Sequence, residues 1–486
     1  MIKQYVVNIG DFLADKKTSD ILLNQIPIVV KKEEQLGIYM ERLRSHLAVL
    51  RSELMMVVET EYVDAVYRDT FYNYFSTKLK PYYRNCVRLS FFEPGFKTIS
   101  DYSQLSEEKI QQLYLGFMVL RPIGKCIGRN IISPKAKIAP YSNVKITLAE
   151  FHATCLGVKL TVEDFPHASQ DSEYMTCAET TTWNLMEYFG NKYALYRPLL
   201  PSELINNLHA YSTERMVPSS GLTVHQISMA IEQQGFSSLL YTKKNLRFKE
   251  LFTCYVESGL PLAVAISSDS GGHAVVCIGR EEVDRKRMCN AKDLGHTGFI
   301  IWNYNVDKFV FNDDNRPSYV IDDFTKPTQY LVNATIQAFI VPLHKKIYLP
   351  AEQAIDVSHF FIEKEFSFPT GSAVRTFLTS CRSYREYIRR NPDFTDAMKM
   401  AYLQLEMPKF IWVTEVSTGE DFLSKKVNSL IILDATCPFS SDNPYASLIL
   451  KQNNNVLTIY NEITHSFNDA VMTLPAKFES FNHNLR

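Results

Sequence analysis

The chain reads as an α+β protein, and three observations predict this. Apolar residues at three- and four-residue spacing recur through 177–257. Short apolar runs bounded by Gly, Pro, Asn and Ser then follow one another through 262–343. Helices first and strands afterwards favour helices segregated against a largely antiparallel sheet. With 486 residues, 46% of them apolar and 22% charged, the chain is long enough for two to four domains and shows none of the bias of a disordered one.

Taken in order, residues 30–80 are expected to be helical, because Leu36, Tyr39, Met40, Leu43, Leu47 and Leu50 fall on one face. A helix at 106–116 should run into the strand GFMVLRPI, stopped by Pro122. Residues 130–165 alternate short apolar runs with Pro, Gly and Ser, as short strands do. Residues 177–189 form the next expected helix, with Gly190 as its left-handed stop. SELINNLHAY is another. Thr223 and Gln226 form a capping box opening a helix that ends at Gly235, and 248–257 a further helix closed by Gly259 and Pro261.

The expected strands are LAVAI, HAVVCI, FIIW, KFVFN, SYVI and QAFIVPL, with 281–298, rich in charge and Gly, as a long surface loop. Beyond 345, a helix near 372–390 precedes strands at KFIWVTEV, SLIILDAT and VLTIYNEI. This divides the chain into a helical and β region over 1–159, a core over 160–343 and an α/β region over 344–486. No internal repeat stands out.

Composition excludes several classes. Fifty-two basic against 53 acidic residues give a net charge of -1, not the footprint of a nucleic-acid binder. The 27 tyrosines and 30 phenylalanines indicate a bulky core. Nine cysteines without a C-x-x-C pair suit neither a zinc ribbon nor a disulfide framework, so reduced thiols and a cytoplasmic location are expected. The segment MIKQYVVNIGDFLADKK lacks the pattern of a secretory signal, and no run approaches the ~20 apolar residues of a membrane span. There is no G-x-x-x-x-G-K-[ST] and no H-E-x-x-H, so neither a nucleotide cofactor nor a catalytic metal is expected.

The chemistry concentrates in three segments. In SQDSEYMTCAETTTWNLMEYFG, Cys177 stands where a helix begins, and the positive end of a helix dipole favours the thiolate. In SSDSGGHAVVCIG, His273 opens an apolar strand after a glycine pair, so the strand aims the imidazole and small residues leave its approach open. FVFNDDN supplies Asn312, Asp313 and Asp314 as acceptors for the second ring nitrogen, with Asp313 placed weakly ahead of Asp314. The Cys177 amide can serve a developing oxyanion, and the side chain of Gln170 could join it if 171–176 folds into a tight loop. His167, His225 and His296 each lack the combination of an aiming strand and a small-residue approach.

Gln170, Cys177 ahead of a helix containing Trp183, GLTVHQI, SGLPLAVAI, GGHAVVCIG and KFVFNDD together resemble a papain-like cysteine peptidase, nearest to the bacterial branch similar to bacteriocin-processing peptidases. The resemblance covers roughly 160–343; the flanking regions find no family. It implies nucleophile Cys177, base His273, orienting Asp313 and oxyanion donor Gln170, and a peptide or protein substrate. Two features depart from the family pattern: the Gln-to-Cys gap is slightly longer, and Glu179 stands where small residues are common.

The expected activity is thiol-dependent hydrolysis of a peptide or isopeptide bond. The other readings are an inactive peptidase-fold binding module and a transglutaminase-like acyl transfer. The intact Cys/His/Asp set argues against the first. Against the second, no histidine in a comparable strand precedes Asp434 in SLIILDAT, and the 40-residue step from His273 to Asp313 is long.

Overall fold

The computed structural model describes residues 4–15, 33–212, 215–219, 221–290, 298–453, 456–461, 464–471 and 474–486. It is a mixed α+β protein with two compact units. Unit 1 comprises Met1–Leu240, Ala263–Ile278 and Val310–Ile340; unit 2 comprises Tyr241–Leu262, Gly279–Phe309 and Val341–Arg486. Residues 160–343 therefore contribute to both.

Unit 1 contains an antiparallel sheet in the order β1 (Gln4–Asn8), β2 (Met55–Tyr62), β3 (Cys86–Phe92), β4 (Tyr114–Leu120) and β5 (Ile127–Ile132). Both faces are buried. Met56, Val58, Leu89 and Met118 pack with Tyr39, Leu43 and Leu47 of the helix Glu33–Leu47, while Val57, Phe92, Phe117 and Ile131 face a second core. The expected helix over 30–80 is corrected here. Its apolar face holds over 39–47, but MMVVETEY is a strand, because a strand buried on both sides shows a continuous apolar run without the period-2 signature. The side chain of Leu36 lies outside the described residues.

The second core is built on the helix Cys177–Lys192, with Trp183, Leu185, Met186, Tyr188 and Phe189 all buried. Gly190 is not a left-handed stop: the helix runs through it to Lys192. A Cβ there would come 2.2 Å from the Pro198 nitrogen, so the residue is small to admit the returning chain. The helix Val224–Gln233 opens on the expected capping box, the Gln226 amide donating to Thr223 Oγ1 at 3.2 Å and the Thr223 amide to Gln226 Oε1 at 2.8 Å.

The remaining strands of this core belong to a sheet ordered β14 (Val320–Asp323), β13 (Lys308–Asn312), β11 (Gly271–Glu281), β10 (Leu262–Ser268), β15 (Thr335–His344) and β9 (Phe236–Thr242), with β6 (Val144–Ile146) pairing β11. The strands β10 and β15 are antiparallel. β9 was not anticipated. A hairpin of β7 (Ala149–Cys155) and β8 (Val158–Asp164) completes unit 1.

Unit 2 carries a sheet ordered β12 (Ile300–Ile301), β16 (Ala373–Ser380), β17 (Phe410–Ser417), β18 (Ser429–Asp434), β19 (Leu448–Asn453), β20 (Val456–Asn461) and β21 (Ser466–Val471). The β12–β16 pair is parallel and the remaining pairs are antiparallel. The expected helix at 372–390 begins only at Cys381: AVRTFLTS pairs as β16, and Ser380 then caps the helix Cys381–Arg390 by accepting the Ser383 amide at 3.1 Å. Helices Ala351–Glu365 and Asp396–Gln404 were not foreseen. FIIW supplies two strand residues before a helical turn, Trp302–Asn305. Within the expected 281–298 loop, Asp284 caps a short helix, Arg285–Asn290; residues 291–297, with His296, lie outside the described residues. Among the described residues no helix is long and apolar enough to cross a membrane.

Candidate active site

All the candidate site residues lie in unit 1. After β8 the chain runs beside β5, where His167 and Asn130 exchange backbone hydrogen bonds of 2.8 and 3.1 Å and the Ser169 amide donates to Ile127 at 3.0 Å. The buried guanidinium of Arg121 then donates to the carbonyls of Ser169 at 2.7 Å and Gln170 at 3.3 Å. This holds the backbone at Gln170.

The next turn closes on Asp171. Its Oδ1 accepts from the amides of Glu173, Tyr174 and Met175 at 2.9, 2.7 and 2.8 Å, and its own amide donates to the Met175 carbonyl at 2.9 Å. The five residues 171–175 are thereby folded back, which accommodates the Gln-to-Cys gap. Burial raises the Asp171 carboxyl above the ordinary range against the opposing Arg121 charge and these amides.

The helix then begins at Cys177. Its first turn accounts for the acidic residue there: buried Glu179 accepts from the Thr176 amide at 3.2 Å and also from the hydroxyls of Thr176 and Ser219. The carboxylate caps the helix start and satisfies a free donor. Cys177 itself is partly exposed, at the positive end of the helix.

His273 enters from β11. A Cβ at Gly271 or Gly272 would meet nothing within 4 Å, so the approach to the ring is open on that side, and the strand is buried from Ala274 onward. The ring Nε2 donates to Asp313 Oδ1 at 3.0 Å and lies 3.8 Å from Asp314 Oδ1. The Cys177 thiol interacts with the same ring and favours its charged form. With Nε2 committed to the carboxylate, Nδ1 is the nitrogen left for the thiol.

Asp313, at the end of β13, is fully buried. Its Oδ1 also accepts from the Asn315 amide at 3.0 Å and the Tyr330 hydroxyl at 3.3 Å, while its carbonyl accepts from His167 Nε2 at 3.0 Å. Asn312 is turned elsewhere: it accepts from the Tyr319 amide at 3.0 Å and donates to the Pro166 carbonyl at 3.4 Å. Gln170 Nε2 donates to Asn315 Oδ1 at 3.2 Å, which brings this amide against the loop that carries Asp313.

The electrostatics follow from burial and pairing. Burial pulls His273 down, but the hydrogen bond to Asp313, the interaction with Cys177 and the charges of Asp313 and Asp314 outweigh it and hold the imidazolium to about 10. Asp313 stays below the usual carboxylate range, because its bond to His273 overcomes the opposing effect of burial. Asp314 moves the other way, up to about 7, through burial and the Asp313 charge against the opposing fields of His273 and Lys125. His167, fully buried with its ring 5.5 Å from that of His46, is lowered to about 4 by burial.

His273, Asp313 and Asp314 are, among the described residues, the group whose ligand atoms could hold a metal, lying within 4.8 Å of one another. The Oδ1 atoms of both aspartates already accept hydrogen bonds from Asn315.

Four participants were not foreseen. Asn315 bridges Gln170 and both aspartates, and Tyr330 sits 3.3 Å from His273 Nε2. His167 lacks an aiming strand of its own but is held against β5 and supports the Asp313 backbone. Lys125 faces Asp314 and Cys177 from the β4–β5 turn. Asn315 closes the FVFNDDN run itself, whereas the neighbourhoods of Tyr330, His167 and Lys125 carry no motif and only the fold brings them to it. The set-aside residues lie elsewhere: His225 is exposed on its capping-box helix, and Asp434 accepts from the Thr436 amide at 2.6 Å in a turn of unit 2. No protein-family model matches the chain, and no curated protein matches it.

Proposed function

We propose that this protein is a thiol-dependent hydrolase of papain-like type, a cysteine peptidase or amidase acting on a peptide or protein substrate in a reducing compartment. One observation carries the reading: His273 is hydrogen-bonded to the fully buried Asp313 and interacts with Cys177, which stands at a helix N-terminus.

In this mechanism the Cys177 proton resides on His273, whose imidazolium is stabilised by Asp313. The thiolate adds to the amide carbonyl, forming a C–S bond and a tetrahedral oxyanion. The Cys177 amide is one donor to that oxyanion, and Gln170, with one N–H already on Asn315, supplies the other. His273 gives its proton to the leaving nitrogen as the C–N bond breaks, leaving an acyl-thioester. The neutral imidazole then takes a proton from water, whose oxygen displaces the thiolate, and the acid product departs.

The test is alkylation by sub-stoichiometric iodoacetamide, with the label located by mass spectrometry. Of the three partly exposed thiols, Cys289 and Cys437 are held above the ordinary thiol range by burial, which leaves them slow competitors. Selective labelling of Cys177 is expected. In His273→Ala it should slow by about a hundredfold at pH ~6.5, the thiolate deficit of an ordinary thiol with a pKa of about 8.5. Labelling of Cys177 no faster than of Cys289 and Cys437 would remove the hydrolase reading.

A further inference from the structure

Asp313 and Asp314 are adjacent carboxyl groups, 0% and 3% exposed, and a carboxylate oxygen of each lies within 4.8 Å of the other. The Oδ2 atom of each is buried and meets no donor. Two carboxylate oxygens facing one another repel, and a buried unpaired charge is strongly disfavoured. The charges facing the pair are few, and the nearby Asp322 is already paired with Arg316 at 3.1 Å. His273, from β11, contributes one positive charge at 3.0 and 3.8 Å. Lys125, from the β4–β5 turn, acts at longer range and among the described residues makes no ion pair with Asp314. Asn315 and Tyr330 contribute neutral donors. One close cation balances one carboxylate, so the other retains its proton.

Resting on the thiol-hydrolase reading of this site, we propose that Asp314 is held as the neutral acid and donates its proton to Asp313, a positioning residue that fixes the carboxylate on which His273 turns. The assignment of the proton follows from the partners. Asp313 carries the closer bond to His273 and two further donors, each of which favours its ionised form. Asp314 accepts a single hydrogen bond, from Asn315 Nδ2 at 3.0 Å, and its carboxyl is raised to about 7. An O–H on Asp314 offers a donor to the neighbouring carboxylate, whose buried Oδ2 otherwise lacks one, and the same proton removes the unpaired charge from Asp314.

The test compares Asp314→Ala with Asp314→Asn. The alanine variant loses the donor and should slow Cys177 alkylation; asparagine restores an N–H in its place and should bring the rate back. His273 is followed in parallel by histidine-selective NMR. Asp313→Asn, which removes the hydrogen-bonded counter-charge, should lower the imidazolium midpoint by about 1–3 units, whereas Asp314→Asn, whose carboxyl ionises before His273 titrates and lies farther from the ring, should lower it by less. An equal fall in Asp314→Asn would overturn the proposal, because it would show that Asp313 is not the carboxylate on which His273 turns.

The infrared spectrum of the wild-type protein gives a readout independent of folding in the variants. A protonated carboxylic acid band that titrates near neutrality and is missing from Asp314→Asn is expected, and its absence from the wild type overturns the proposal. If Cys177 labels no faster than the other thiols but the band is present, the hydrolase reading fails while the shared proton stands.

Discussion

At the scale of single residues, two histidines lie against the same aspartate and titrate in opposite directions. His273 donates to the Asp313 carboxylate and is raised from 6.5 to about 10; His167 donates to the Asp313 carbonyl and is lowered from 6.5 to about 4. The consequences for stability have opposite signs. The folded protein binds the His273 proton more tightly than the unfolded chain does. That contribution is fully present below pH 6.5 and is lost as the pH rises towards 10. Urea unfolding across this range should therefore show wild-type stability falling relative to His273→Gln; parallel curves would contradict the raised value. For His167 the unfolded chain takes the proton first. Its contribution is present above pH 6.5 and lost as the pH falls towards 4, and in His167→Gln this acid-side decline should be shallower. Local sequence indicates which nitrogen-bearing residues exist; burial and a shared partner decide which of them is charged.

At the scale of elements, what was legible in the sequence is what is encoded within a few residues. The Thr223–Gln226 capping box, the helix Phe248–Glu257 and the strand KFVFN all form where local patterning predicts, because their signals are internal to the segment. MMVVETEY and AVRTFLTS were misread, because both are short apolar runs whose identity is settled by strands paired on either side. Gly190 was misread for a related reason: its small size serves a chain that passes eight residues later. This leads to a prediction whose sign opposes helix propensity. Alanine in a helix interior is ordinarily favoured over glycine by about 1 kcal/mol. Gly190→Ala should instead destabilise the protein by about 1–3 kcal/mol, because the new methyl would overlap the Pro198 backbone. Thermal denaturation measures it, and a higher Tm would show that the contact yields.

At the scale of the whole molecule, each unit has its own organising core. Unit 1 builds its core around the Cys177 helix and carries the candidate site. Unit 2 buries a charge cluster: Glu257 is fully buried, bonded to Arg280 and to Arg375 at 3.0 Å, and Arg375 reaches Glu415 at 3.3 Å. Burial opposes the Glu257 charge, but the two arginines win and hold the carboxyl at about 2. Removing one member leaves buried charge uncompensated. Glu257→Gln should cost about 3–5 kcal/mol and raise amide hydrogen exchange through β16 and β17. Unchanged exchange there would mean that the cluster does not hold unit 2 together.

The sequence by itself determined the α+β class, most of the elements in 177–343, and the residue types a thiol site needs, because periodicity, caps and turn residues act over short range. It also brought Asp313 and Asp314 forward together, with Asp313 only weakly ahead. Only the tertiary structure decided between them, through the 3.0 Å bond to His273, the Asn315 and Tyr330 donors and the burial that makes two adjacent charges untenable. Those groups come from strands and loops far apart in the chain, and the energy of a charge depends on what surrounds it in space.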